Sequence, residues 1–86
     1  MAQVYELRIT QLAQKELASL DKQNYIKVKD AIYALAQNPR PVRCKKLKNR
    51  DAWRIRCGNY RVIYEIHDDK VVVIVIRIAH RKEVYR

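Results

Sequence analysis

Three arginines flank a short turn in the second half of the chain: Arg54 and Arg56 precede Gly58-Asn59, and Arg61 follows it. Glycine readily takes the positive φ needed at the first central position of a type II′ turn. The sequence therefore predicts a β-hairpin with Arg56 opposite Arg61 and Arg54 on the same face. Like charges in opposite positions destabilise a sheet, whereas phosphate oxygens between the guanidinium groups would relieve the repulsion. This spacing predicts a phosphate-binding face, with a solvated cationic face as the alternative.

Positive charge is concentrated in the C-terminal half. The 86 residues carry 19 Lys plus Arg against 9 Asp plus Glu, which gives a formal net charge of +10. Residues 44–86 hold twelve basic and five acidic side chains, whereas residues 1–43 hold seven and four. A basic surface of this kind is the electrostatic footprint of a nucleic-acid-binding protein. We therefore expect a polyanionic nucleic acid as the partner.

Four further cations lie just before the hairpin and enlarge its positive field. They are Lys45, Lys46, Lys48 and Arg50. Charge runs are usually solvated. We expect these side chains to steer nucleic acid toward the hairpin and, in part, to contact it.

Length and composition limit the class of protein. A chain of 86 residues forms one domain, residues 1–86, and 49% hydrophobic residues can supply its core. No run approaches 18 apolar residues, and no apolar stretch follows a basic start, so we expect a cytoplasmic protein that does not enter a membrane. Cys44 and Cys57 lack the CxxC spacing of a zinc or redox site, so we expect two reduced thiols and no metal.

The first half predicts one strand and two helices. Residues 3–9 alternate as in a strand, and Thr10 offers an N-cap for a helix that ends near Leu20. A second helix is predicted from Lys22 to about Gln37, with its apolar stripe at helical spacing. That stripe consists of Tyr25, Val28, Ile32 and Leu35. Proline at positions 39 and 41 ends the helix, because proline removes backbone donors.

The second half predicts three strands, at residues 52–57, 60–66 and 71–78, followed by a polar tail from Ala79 to Arg86. The hairpin register places Trp53 opposite Tyr64 on the apolar face, where both should belong to the core. The order β-α-α-β-β-β predicts an α+β fold. In it, a helical hairpin packs on one face of a mainly antiparallel four-stranded sheet.

Four blocks of the sequence, taken in order, resemble the RelE/ParE toxin superfamily. They are Lys46-Leu47-Lys48, Trp53-Arg54-Ile55-Arg56, the segment from Gly58 to Tyr64, and the segment from His80 to Tyr85. The resemblance covers nearly the whole chain and depends on the order and spacing of the blocks. It implies a toxin neutralised by a cognate RelB-like antitoxin.

In the RelE branch, the resemblance implies an endoribonuclease that cleaves mRNA in the ribosomal A site and needs neither metal nor cofactor. The ribose 2′-hydroxyl attacks the adjacent phosphate and leaves a cyclic phosphate and a 5′-hydroxyl. Two alternatives stay open. A ParE-type toxin would bind and inhibit DNA gyrase without cutting RNA, and a third kind of member would only bind nucleic acid.

The resemblance also implies roles for individual residues. By position, Arg61 and Arg81 match the arginines at the scissile phosphate, and Tyr85 matches a terminal tyrosine that stacks on a base or assists proton transfer. Arg54 and Arg56 stand where RelE-type enzymes often have lysines, and an arginine is a poor proton acceptor.

Histidine is the natural replacement for those lysines. His80 could serve as acid or base at neutral pH, with an ordinary exposed side chain as the alternative. His67, beside the predicted turn at Asp68-Asp69, is expected to be structural or solvated.

Overall fold

The structure, a computed structural model, describes residues 4–80. Two helices and five strands follow one another along the chain. They are β1 (Glu6–Ile9), α1 (Gln11–Ala18), α2 (Lys22–Gln37), β2 (Lys45–Lys46), β3 (Trp53–Cys57), β4 (Tyr60–His67) and β5 (Val72–His80). The predicted α+β class is confirmed. Among residues 4–80, no helix is long and apolar enough to cross a membrane.

The strands form one mixed sheet in the order β1-β5-β4-β3-β2. β1 runs parallel to β5, and the other neighbouring strands are antiparallel. The prediction of four strands was wrong by one, because β2 also joins the sheet. It pairs Lys45 with Arg54 and Lys46 with Trp53. Two residues are too few to produce an alternating pattern in the sequence.

The helix boundaries follow the predicted signals closely. Thr10 has extended backbone angles, and its Oγ1 accepts a hydrogen bond from the Ala13 N–H at 3.2 Å, which caps α1. α1 ends at Ala18 rather than Leu20, and α2 has the predicted bounds. Asp21 occupies the N-cap position of α2, but its carboxylate accepts from the Asn24 side chain at 2.6 Å instead of a backbone N–H.

The core lies between the helical hairpin and one face of the sheet. The helices contribute Ala13, Leu17, Val28, Ile32 and Leu35, and the strands contribute Ile55, Val62, Tyr64, Val73, Val75 and Ile78. Tyr25 was expected in this stripe but is 37% exposed. Tyr64 is fully buried, and its hydroxyl donates to the Pro39 carbonyl at 2.7 Å. Trp53 is half-buried and packs against the same cluster.

The β3–β4 hairpin has the predicted register. Gly58 has φ +61°, and Asn59 is not among the residues with positive φ, as a type II′ turn requires. Arg56 pairs with Arg61, and Trp53 pairs with Tyr64. The prediction that one face is apolar and the other carries three arginines is therefore confirmed.

β5 extends further than predicted and contains a bulge. Tyr64 pairs with Val75 whereas Ile63 pairs with Arg77, so Ile76 is an extra residue in the strand. Ala79 and His80, assigned to the polar tail from sequence, belong to β5. Ala79 is buried, and His80 pairs with Tyr60. A short, partly polar strand end stays in the sheet because β4 is long enough to pair with it.

Two contacts close the ends of the sheet. Beyond the last β1 pair, the Ile78 N–H donates to Glu16 Oε1 of α1 at 2.8 Å. At the β4–β5 turn, Asp68 accepts from the Tyr5 hydroxyl at 2.6 Å and pairs with Arg40 at 2.8 Å. The hydrogen bonds from Arg40 and Tyr5 lower the pKa of Asp68 to about 2.

Candidate nucleic-acid interface

Strand alternation places the three hairpin arginines on the face of the sheet turned away from the helices. Ile55 of β3 and Val62 of β4 point into the core under α2. Their neighbours in sequence, which include Arg54, Arg56 and Arg61, therefore point the other way. This is the face on which the sequence predicted phosphate binding, and the name arginine face is used below for these three side chains.

The arginine face is not uniformly accessible. Arg56 is exposed and Arg54 is half-buried, whereas Arg61 is only 1% exposed. Arg61 pairs with the buried Ala79 and is a neighbour in sequence of Ile63, which is also buried on this face. Arg61 is not isolated, because its side chain has a further interaction in the fold. Burial in a less polar environment strengthens the field of a guanidinium that cannot lose its proton.

A cavity of about 310 Å³ opens on the arginine face. It is lined by Arg43, Lys45, Arg54 and Arg56. Lys45 pairs with Arg54 across β2 and β3, so the two side chains share this face. Four cations around one cavity form a site for an anion with several acceptor oxygens, such as a phosphodiester. The name cationic cavity is used for it below.

Arg43 was not predicted as a site residue. It follows the Pro39–Pro41 stretch, where the sequence gives no strand pattern. A usable signal existed: Arg43 stands two residues before Lys45, and a period of two places both on one face.

The four cations before the hairpin do not act as one group. Lys45 lines the cationic cavity, but Lys46 pairs with Trp53, on the other face, and its Nζ lies 3.8 Å from Asp51 Oδ1. Lys48 and Arg50 are exposed in the loop between β2 and β3. Their exposure fits the predicted steering role, because long-range attraction does not require contact.

His80 lies on the opposite face from the arginines. Its ring meets Tyr60 edge to face, with 5.5 Å between the centroids and 83° between the planes. Both side chains line a cavity of about 380 Å³ that also includes Glu16 and Leu20 near α1. The structure thus brings Arg54 and Arg56 together but does not bring His80 to them. Arg81 and Tyr85 lie outside the described residues, and their roles stay predictions.

The remaining predicted features concern metals and thiols. His67 Nε2 lies 2.9 Å from Glu65 Oε1, which agrees with a structural role. Cys44 and Cys57 are free thiols, and burial raises the pKa of Cys57. Within residues 4–80 there is no group of three or more His, Cys, Asp and Glu side chains that could hold a metal ion.

Comparison with known proteins decides the family. The family model described as the ParE toxin of the type II toxin–antitoxin system, parDE, matches residues 7–85. The chain belongs to the RelE/ParE superfamily of type II toxin–antitoxin toxins. The family predicted from the sequence is therefore confirmed.

Named relatives come from the RelE branch of this superfamily. Toxin RelG of Mycobacterium tuberculosis is 30% identical, over 95% of this chain and 97% of its own length. The RelE–RelB complex of Pyrococcus horikoshii OT3 contains a chain that is 28% identical. It has a TM-score of 0.82 and covers 91% of this chain and 96% of that one. The intact RelBE toxin–antitoxin complex of E. coli gives 29% identity and a TM-score of 0.77, with 88% and 95% covered.

Proposed function

We propose that this RelE/ParE toxin is a metal-independent endoribonuclease that cleaves mRNA in the ribosomal A site and thereby inhibits translation in the cytoplasm. The cationic cavity carries this proposal, because Arg43, Lys45, Arg54 and Arg56 surround a space of about 310 Å³. A phosphodiester carries one negative charge and several acceptor oxygens, which match forked guanidinium donors. The named relatives in the RelE branch favour RNA over other polyanions.

The proposed reaction is an internal transfer within the RNA. The ribose 2′-oxygen forms a bond to the adjacent phosphorus, and the bond from phosphorus to the 5′-oxygen breaks. A base takes the proton of the 2′-hydroxyl, and an acid gives a proton to the leaving 5′-oxygen. Arg54 and Arg56 stabilise the negative charge that develops on the phosphorane, and the buried Arg61 adds a fixed positive charge beside them.

Proton transfer must come from groups other than these arginines, which do not lose a proton at physiological pH. We assign it to the C-terminal residues His80 and Tyr85, with Arg81 as a further phosphate ligand. Because His80 lies beside Tyr60 on the helix side of the sheet, the RNA must pass around the end of β5 to reach its ring. His80→Ala tests that path directly.

The proposed partner is a RelB-like antitoxin with an acidic surface. Two of the similar structures are toxin–antitoxin complexes, RelE–RelB of Pyrococcus horikoshii and RelBE of E. coli. A chain with a net charge of +10 attracts an acidic protein, and covering the cationic cavity would block RNA.

A cell-free translation reaction with purified toxin tests the chemistry. The expected result is cleavage of ribosome-bound mRNA with chelator present, giving a cyclic phosphate and a 5′-hydroxyl at the new ends. Tyr85→Phe should slow this cleavage. Loss of translation while the mRNA stays intact would contradict the proposal.

A second candidate is inhibition of DNA gyrase, favoured by the family model, which describes a ParE toxin. Purified gyrase, relaxed plasmid and the toxin distinguish the two. Inhibited supercoiling together with intact mRNA would support the gyrase function.

A further inference from the structure

A second cavity lies on the helix side of β3, close to the cationic cavity. Its volume is about 180 Å³, and its walls include Ala31, Ala34 and Leu35 of α2, Pro41, and Ile55 of β3. The walls are mainly aliphatic. The name apolar cavity is used for it below.

The two cavities occupy the two faces of one strand. Ile55 lines the apolar cavity, whereas its neighbours Arg54 and Arg56 line the cationic cavity. Arg43 lines both, so it stands at the edge of β3 where the two cavities approach each other. An object lying along this edge could fill both cavities at once.

The edge of β3 is only partly covered. β2 pairs with β3 at Arg54 and Trp53, and the chain before Lys45 leaves the sheet through a turn at positions 42 and 43. Among residues 4–80, no strand pairs with Ile55–Cys57 on that side. A strand edge of this kind presents backbone N–H and C=O groups to an added strand.

Side chains of a strand point alternately to its two faces. A strand added to the β3 edge would therefore direct every second side chain into the apolar cavity and the others into the cationic cavity. Aliphatic and acidic side chains in alternation match both. An RNA strand has no such alternation, and its charge lies along one backbone.

We propose that an extended segment of the antitoxin, with alternating aliphatic and acidic side chains, adds to the edge of β3 at Ile55–Cys57. Its aliphatic side chains fill the apolar cavity, and its carboxylates bind Arg43, Arg54 and Arg56. This inference rests on the antitoxin partner of the proposed function. It deepens that function because carboxylates in the cationic cavity occupy the place of the RNA phosphate.

Two synthetic peptides test the inference on the full chain. One alternates leucine and glutamate, and the other has the same composition with the leucines and glutamates in two blocks. Fluorescence anisotropy with labelled peptides should give at least about tenfold tighter binding for the alternating order. The alternating peptide should also displace a labelled single-stranded RNA.

A cavity-filling variant sharpens the test. Ala34→Phe places a large side chain in the apolar cavity, and Ala34 is exposed on α2, so folding should tolerate the change. It should weaken the alternating peptide by about tenfold and leave RNA binding unchanged. Ala18→Phe is the matched control, because Ala18 is an exposed residue of α1 that does not line this cavity.

Three results would overturn the inference. They are equal affinity for the two peptides, a peptide affinity that Ala34→Phe does not change, and RNA binding that Ala34→Phe weakens, which would assign the apolar cavity to a nucleotide. Each is compatible with RNA cleavage by the toxin. Loss of RNA cleavage in the cell-free reaction, with order-dependent peptide binding intact, would instead contradict the proposed function alone.

Discussion

The two faces of the β-sheet bury different chemistry. The helix side covers Val62, Tyr64 and Val73 with the aliphatic side chains of α1 and α2. The opposite side buries the guanidinium of Arg61 and leaves Arg54 and Arg56 accessible beside the cationic cavity. The comparison teaches that stability and charge are placed on separate faces of one sheet. Substitutions should therefore affect folding or RNA chemistry according to the face that they change.

The largest expected effect is on cleavage. Replacing Arg54 and Arg56 by alanine removes two phosphate ligands from the cationic cavity and should lower the cleavage rate by about 100-fold or more. The melting temperature should change little, because Arg56 is exposed and Arg54 is half-buried.

The matched control for this pair removes the same charge from the helix side. Lys22 and Lys27 are exposed on α2, and Lys22→Ala with Lys27→Ala should leave most of the cleavage activity. Equal losses in the two double variants would mean that net charge alone matters and would break the distinction between the faces.

The next effect is on folding. Ile32 is 1% exposed and belongs to the core under the sheet. Ile32→Ala should lower the free energy of unfolding by about 2–5 kcal/mol, because it removes buried methyl groups and leaves a cavity. Urea denaturation measures this loss. The cleavage rate per folded molecule should stay the same, and a parallel fall in that rate would contradict the separation of the faces.

A smaller loss is expected from Tyr64→Phe. This variant keeps the ring but removes the hydroxyl that donates to the Pro39 carbonyl. Leaving a buried carbonyl without its donor should cost about 1–2 kcal/mol of unfolding free energy. An unchanged urea midpoint would show that water replaces the lost donor.

The register of the arginine face could be predicted from sequence for a simple physical reason. Gly58 fixes the turn, and a turn of known length fixes every pair along β3 and β4. Helical periodicity similarly located α2, whose buried Val28, Ile32 and Leu35 lie three or four positions apart. Both predictions depend on local chemistry that the sequence displays.

The position of His80 could not be predicted in the same way. Val73 and Val75 face the helices, so uninterrupted alternation would place His80 on the arginine face. The bulge at Ile76 shifts this alternation by one residue, and Ile78 and His80 face the helices instead. Residues 71–78 are almost all apolar, so no alternation in the sequence reveals the shift. Arg43 was missed because the preceding prolines hide its relation to β2.

The smallest effect concerns acid stability at the β4–β5 turn. Arg40 and Tyr5 hold the pKa of Asp68 at about 2, below the value of about 3.9 expected in the unfolded chain. The carboxylate therefore stabilises the fold above about pH 4, and this contribution is lost as the pH falls through about 2.

Thermal unfolding between about pH 4 and pH 2 measures this contribution. Asp68→Asn should be slightly less stable than the wild type at neutral pH and should lose less stability over this acid range. Parallel pH curves for the two proteins would show that the Asp68 contacts do not stabilise the fold.

Primer extension on cellular transcripts after induction in a bacterium tests the central claim that the arginine face cuts translated mRNA. The wild type should produce new transcript ends within reading frames at fixed positions relative to the codons. The Arg54→Ala, Arg56→Ala variant should produce few such ends, and the Lys22→Ala, Lys27→Ala control should produce the wild-type pattern. Growth arrest by the wild type with full-length transcripts throughout would contradict the claim.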